Sequence, residues 1–186
     1  MAVTLIRPSL EALPGYADAL RRGWSPDNMR GPITAALHLE NIAQDPAAFV
    51  EGLEDREARA GDLTMPDGTK VKRLPGYVRW IWDGGFGGSL GFRWQPGRND
   101  LPPHVLGHVG YSVPSWMRRR GLATAGLKLM LPLMKAEGLT YVELTTDPDN
   151  LPSQKVITAN GGYLLERFNK SEAYGGGESL RWRIDL

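Results

Sequence analysis

The stretch from Val105 to Glu137 constrains the fold more than any other part of the chain. Val105, Val109, Tyr111 and Val113 recur at a strand's period, and Pro114 holds Val113 extended while helping to end the strand. An apolar run at helical spacing then reaches Glu137, with Gly138 as its stop. Between them, Arg118-x-x-Gly121-x-Ala123 puts a residue without a side chain and a very small one where the helix begins. The free N–H groups of that first turn can therefore approach a large anion closely, and the helix dipole favours phosphate there.

That hexapeptide, after a strand and before a long helix, resembles the Gln/Arg-x-x-Gly-x-Gly/Ala signature of the GNAT superfamily of acyl-CoA-dependent N-acetyltransferases. Downstream, the segment from Asn150 through Ser153, Val156 and Ile157 to Asn160-Gly161-Gly162 is similar to the family's second motif, Asn-x-x-Ser/Ala-x-x-Val/Leu-x-x-x-x-Gly. Two motifs in the right order carry the resemblance. Together with Gly107-His108-Val109-Gly110-Tyr111-Ser112-Val113 and the terminal Arg181-Trp182-Arg183-Ile184, they look like a bacterial branch of predicted acetyltransferases, which implies no substrate.

Composition narrows the alternatives. A chain of 186 residues with 41% hydrophobic and 23% charged residues fits one domain with a substantial core. Net charge is +1, so no global field recruits nucleic acid or an acidic membrane, and basic function must be local, as in Arg118-Arg119-Arg120. The absence of Cys excludes disulfides, thiolate metal sites and a Cys nucleophile, and His38, His104 and His108 lack metal-ligand spacing. No signal peptide and no apolar span of bilayer length is present, so a cytoplasmic protein without a metal is expected.

Taken in order, the chain predicts a strand over Val3 to Ser9, a helix over Leu10 to Arg22, and a second helix from Pro46 within Asn41 to Ala58, capped by Asp45. Gly61 to Gly76 reads as a loop or short hairpin, with Pro66-Asp67-Gly68 as its turn. Tyr77 to Trp82 and Ser89 to Trp94 form a hairpin joined by Asp83 to Gly88, whose glycines fit turn chemistry better than a nucleotide loop. After the organising strand comes a helix from about Arg119, kinked near Lys128 by Pro132. A strand over Thr140 to Thr146, a helix from Pro152 to about Ala159, and strands over Tyr163 to Phe168 and Ser179 to Ile184 complete the order. The whole reads as one mixed α/β domain over residues 1–186, similar to the GNAT arrangement, with a central sheet of about six or seven strands and about four helices. The resemblance implies that residues 1–76 serve mainly the acceptor and 77–186 the cofactor.

The resemblance also implies roles. Backbone from Arg118 through Gly121 and Leu122 to Ala123 and Thr124 would hold the pyrophosphate of coenzyme A, with the guanidiniums of Arg118, Arg119 and Arg120 as partners for pyrophosphate or 3′-phosphate. Tyr111, Ser112 and Val113 would run beside the pantetheine arm like an added strand. An N–H near Tyr111 would polarise the thioester carbonyl, a contribution of about 3 kcal/mol where such donors have been removed elsewhere. Asn150 would contact the arm or cap its helix. His108 and Glu143 are the candidate bases, His108 preferred, each with an ordinary structural role as the alternative. The family's thiolate-protonating Tyr is replaced by Ile157, leaving Ser153, Tyr111 or Tyr163 as substitutes, or unassisted departure. The expected activity is acetyl transfer from acetyl-CoA to a primary amine by direct attack in a ternary complex. The alternative is a non-catalytic acyl-CoA-binding sensor. The expected partner is a small-molecule or peptide amine, not nucleic acid or membrane, and a homodimer is compatible with the sequence.

Overall fold

The computed structural model describes residues 2–65 and 68–186. Its elements run β1 (Thr4–Ile6), α1 (Leu13–Arg21), α2 (Gly31–Gln44), α3 (Pro46–Gly52), β2 (Glu54–Asp55), β3 (Leu63–Thr64), β4 (Lys70–Val71), β5 (Gly76–Trp82), β6 (Phe86–Arg93), β7 (Val109–Ser112), α4 (Leu122–Ala136), β8 (Tyr141–Thr146), α5 (Leu151–Thr158), β9 (Tyr163–Asn169) and β10 (Glu178–Asp185). The expected mixed α/β architecture is present. Eight of the strands form two antiparallel groups, β1-β5-β6-β7 with β2 on β5, and β8-β10-β9. No ladder joins β7 to β8, so the central sheet is open along that seam.

Strand alternation sorts the side chains of the first group onto two faces. Tyr77, Ile81, Leu90, Phe92 and Val109 face a core shared with α4, β8 and β10. Trp80 and Phe86 face a second core with α1, where Tyr16 stacks on Trp80 at 4.8 Å between centroids. Helix α1 covers only part of this second face. Gly76, Val78, Gly91, Arg93 and Gly110 lie beyond it and line a cavity.

Several boundaries differ from the sequence expectation. A full helix, α2, precedes the expected one, and Asp45 separates the two, its carboxylate accepting from the N–H groups of Ala47 and Ala48. Strand β6 starts at Phe86, so Asp83 to Gly85 alone make the turn, closed by a 3.0 Å bond from Asp83 N–H to Gly85 O. Gly87 and Gly88 belong to the strand. A Cβ at Gly88 would lie 2.7 Å from Ser112 O, which is the packing reason for glycine there. Gly61 to Gly76 includes the hairpin of β3 and β4. Pro66 and Asp67 of its expected turn lie outside the described residues, while Gly68 has φ +82°.

Helix α4 begins at Leu122 rather than Arg119, after a single 3-10 turn over Ser115–Met117. It continues through Pro132, which sits on an exposed position. Its seat on the sheet is Gly126, where a Cβ would lie 2.9 Å from Ile81 Cδ1 and 3.1 Å from Leu90 Cδ1, both fully buried. Among the described residues no helix is long and apolar enough to cross a membrane. Because the Gly126 contact sets the height of α4, Gly126→Val should cost about 1–3 kcal/mol in urea unfolding by overpacking. Unchanged stability would show that α4 does not depend on this contact.

Candidate functional site

The seam between β7 and β8 closes at one level only. His108 N–H donates to Glu143 O at 2.8 Å, and Glu143 N–H donates back to His108 Nδ1 at 2.9 Å. The other ring nitrogen, Nε2, bonds Asn99 O at 2.9 Å. An imidazole that accepts at Nδ1 must carry its proton on Nε2, so the neutral tautomer alone satisfies both contacts. Desolvation, with the nearby charge of Arg93 adding to it, lowers the His108 pKa from its ordinary 6.5 to about 4. The side chain is 0% exposed and is not part of the cavity wall. Both nitrogens are spent on backbone, which leaves no lone pair for an amine. The preference for His108 as base is therefore corrected: it is a structural histidine at the joint of the two strands.

Glu143 is corrected in the same way. Its carboxylate accepts from Arg183 Nη2 at 2.7 Å and pairs with Arg181 Nη1 at 3.5 Å across β10. It too is absent from the cavity wall.

Beyond the joint the strands separate. The bond from Arg93 N–H to His108 O sets the alternation of the β6–β7 ladder, in which Gly91 faces Gly110 and Leu90 faces Tyr111. Hydrogen-bonded and non-hydrogen-bonded pairs alternate in an antiparallel ladder, so the N–H and C=O of Tyr111 point away from β6 and into the seam. Asn28 Nδ2 reaches Tyr111 O from there at 3.4 Å. A cavity of about 690 Å³ fills this region, walled by Gly110 and Tyr111 of β7, Thr145 and Thr146 of β8, the Asp27 to Arg30 loop and Tyr174.

Next in the chain after β7 comes the loop before α4. Arg119 has φ +61° and Gly121 φ +73°, two left-handed residues two positions apart in the turn before α4. The cap of α4 carries no side-chain hydrogen bond, and among the described residues the amides of Arg119 to Thr124 have no acceptor. A Cβ at Gly121 would meet nothing within 4 Å, so no other part of the chain packs against that side of the cap. The three guanidiniums are not equivalent. Arg120 is tied to Asp83 at 2.6 Å, Arg118 Nε bonds Val113 O at 3.3 Å, and Arg119 stands exposed.

The remaining predicted residues fall into two sets. Tyr111 Oη and Ser153 Oγ share a 2.6 Å hydrogen bond, linking β7 to the first turn of α5, and burial raises the phenol to about 12. Asn150 Oδ1 caps α5 by accepting from Ser153 N–H at 3.2 Å. Ser112 serves the fold: its Oγ accepts from Trp24 Nε1 at 2.9 Å and donates to Ser25 O at 2.8 Å. Ile157 is fully buried under Gly162, and Tyr163 lies on β9 against Asp185. Sequence reasoning missed the 27–30 loop, Arg93, His104 and Tyr174 in the cavity wall. The strand alternation that put Arg93 on the Gly91 face was available, but nothing in sequence showed that α1 stops short of it.

The His108 geometry has a pH consequence. A histidine kept neutral in the fold but free to protonate when unfolded gives stability that is complete above about pH 6.5 and is lost as pH falls towards 4. The native chain should lose about 3 kcal/mol over that window in urea unfolding. His108→Leu should abolish this acid limb and cost about 2–4 kcal/mol at neutral pH, from the unpaired Glu143 N–H and Asn99 carbonyl. A variant as stable as the native chain would disprove the joint.

Residues 32–162 match the family described as Acetyltransferase (GNAT) domain. Among solved structures, the chain resembles the Mycobacterium smegmatis RimJ in complex with CoA-disulfide, with 20% identity, TM-score 0.64 and coverage of 99% of this chain and 82% of that one. It also resembles RimL, a ribosomal L7/L12 alpha-N-protein acetyltransferase in complex with coenzyme A (11% identity, TM-score 0.64, 100% and 95% coverage). A third is the Microcin C7 self immunity acetyltransferase MccE in complex with acetyl-CoA and AMP (14%, 0.62, 99% and 92%). At these identities the likeness concerns the fold. No curated protein matches the chain.

Proposed function

The chain belongs to the GNAT acetyltransferase domain family, and from that premise we propose that it moves an acetyl group from acetyl-CoA to a primary amine by direct attack in a ternary complex. The observation that carries the reading is the row of acceptor-free amides from Arg119 to Thr124 at the start of α4. Those donors fit a pyrophosphate: they converge at a helix N-terminus, a left-handed glycine leaves them uncovered, and Arg119 is at hand. When bound, acetyl-CoA supplies an acyl group activated as a thioester. The chain's residues do the rest.

Tyr111 N–H, facing the seam, is the donor for the acyl carbonyl oxygen, and Tyr111 to Val113 offer backbone for the pantetheine arm. The Tyr111–Ser153 hydroxyl pair is the proton-bearing group we assign to the departing sulfur. A phenol near 12 is a poorer acid than a thiol near ~8.5, so the pair stabilises the thiolate by hydrogen bonding rather than by full proton transfer. Among the imidazoles, His104 fits proton removal better than His108. It lines the cavity, and its Nε2 bond to Lys72 O at 3.1 Å leaves Nδ1 as an acceptor. Residues 1–76 supply the Asp27 to Arg30 wall and so serve the acceptor, while 77–186 hold the cofactor.

A second reading, a coenzyme A-dependent sensor without turnover, draws on Ile157, whose buried side chain offers no hydroxyl. Free-thiol release with a panel of amines separates the two. Gly121→Glu should weaken acetyl-CoA binding at least about 10-fold in titration calorimetry, since it places negative charge where pyrophosphate would lie. The open space around Gly121 means that this change costs only about 1–2 kcal/mol of backbone strain. Unchanged affinity would remove the basis of the proposal. Ser153→Ala should lower thiol release about 10-fold or more with acetyl-CoA affinity intact, and full activity would free the hydroxyl pair of its role.

A further inference from the structure

Arg93 ends β6 on the cavity face of the sheet, and among the described residues its guanidinium has no hydrogen bond, ion pair or aromatic partner. The other arginines in buried or half-buried positions are all engaged. Arg79 pairs with Glu54, Arg181 and Arg183 with Glu143, and Arg73 Nε bonds Gly61 O. Arg93 is half-buried by surface exposure, yet desolvation lowers its pKa below the ordinary 12.5, with Tyr174 acting in the other direction. A guanidinium stays charged regardless. Keeping such a charge partly out of water with no counterion is unfavourable, and it persists only where something else in the fold or a ligand compensates.

The cavity's own carboxylates do not compensate. Asp147 is held by Lys170 at 2.6 Å. Asp27 is spent on the N–H groups of Met29 and Arg30, the Thr34 hydroxyl and the Arg30 guanidinium. Lys72 and Arg73, also in the wall, add positive charge without adding a carboxylate. The floor beneath Arg93 is bare: Gly91 faces Gly110 across the ladder, and a Cβ at Gly91 would meet nothing within 4 Å. A Cβ at Gly110 would lie 3.7 Å from Arg93 Nη2, which puts the guanidinium over the residue immediately before Tyr111.

Resting on the acetyltransferase reading above, we propose that Arg93 is the specificity-determining anion subsite of the acceptor cavity. The acceptor is then an amine whose own molecule carries a carboxylate or phosphate close to the amine, an amino-acid-like molecule rather than a plain alkylamine or polyamine. The fork of a guanidinium matches either anion through two parallel hydrogen bonds. One residue of strand rise, about 3.4 Å, separates the Gly110 position from Tyr111, so anion and amine lie near each other in the substrate.

The test compares acceptors that differ in this charge, by free-thiol release with acetyl-CoA in the native chain and in Arg93→Met. Phenylalanine against phenylalaninamide probes a carboxylate, and phosphoethanolamine against ethanolamine probes a phosphate. In the native chain the anionic member of at least one pair should be preferred about 10-fold or more in kcat/KM, and which pair responds identifies the anion. In Arg93→Met the ratio should fall to within about 2-fold while acetyl-CoA affinity is unchanged and Tm does not fall, because an uncompensated cation has been removed. The same comparison is made by calorimetry of the N-acetylated acid and amide, and of N-acetylated phosphoethanolamine and ethanolamine, on coenzyme A-saturated protein, so the result does not depend on fast turnover. No charge preference in either readout, or a preference that survives Arg93→Met, overturns the inference. Thiol release from neutral amines alone overturns it while leaving the acetyltransferase reading intact, whereas no acetyl-CoA binding at all would defeat that reading itself.

Discussion

Two strands that share hydrogen bonds at a single level determine the rest of this molecule. At the joint, backbone and imidazole of His108 hold both the N–H and the C=O of Glu143. Gly107 lets the chains come that close, since a Cβ there would stand 3.0 Å from Glu143 O. Beyond the joint no ladder joins β7 to β8, and three residues on the Tyr111 amide turns into open space. A sheet paired throughout would have used that amide and filled the cavity. The joint therefore has to be strong, because it carries alone what a row of cross-strand bonds would otherwise share. A neutral, fully enclosed imidazole with two backbone partners meets that need, and it can do so only by giving up acid–base chemistry.

The strand, turn and helix caps around β7, α4 and α5 were legible because their information is local. A strand period, a proline stop, a glycine before a helix and an Asn three residues ahead of Ser153 each act on neighbouring backbone, so reading them needs no knowledge of what packs nearby. The same holds for Asp45 as the cap of α3. Helix α2 escaped for a related reason. Ala35, Leu39 and Ile42 pack against the core at helical spacing, but Ile33 and Leu37 are exposed on other faces, so apolar residues all round obscure the period by which a helix is recognised. His108 and Glu143 show the limit from the other side. Sequence displays a titratable group in a strand, but whether its lone pairs meet substrate or a neighbouring chain depends on contacts as remote as Asn99 and Arg183.

The pattern of charge pairing separates fold-building ions from Arg93. Glu54 collects Arg7, Arg56 and Arg79, and although burial opposes its ionisation these guanidiniums hold its carboxyl well below the usual range, at about 2. Glu143 ties two arginines of β10, and Lys170 fastens the late loop to Asp147. In each case a cation in contact with structure has an anion of the same chain beside it. A sequence with nearly equal numbers of acidic and basic residues, 21 and 22, could have provided one for Arg93 as well. Instead the strand opposite offers Gly110, and the strand residue two positions earlier is Gly91, so the guanidinium looks across an empty floor towards the seam. When the incoming molecule brings its own anion, the charge is neutralised only in the bound state. Recognition of the proposed acceptor then draws on this side chain, which gives a physical reason for the fold to leave it unpaired.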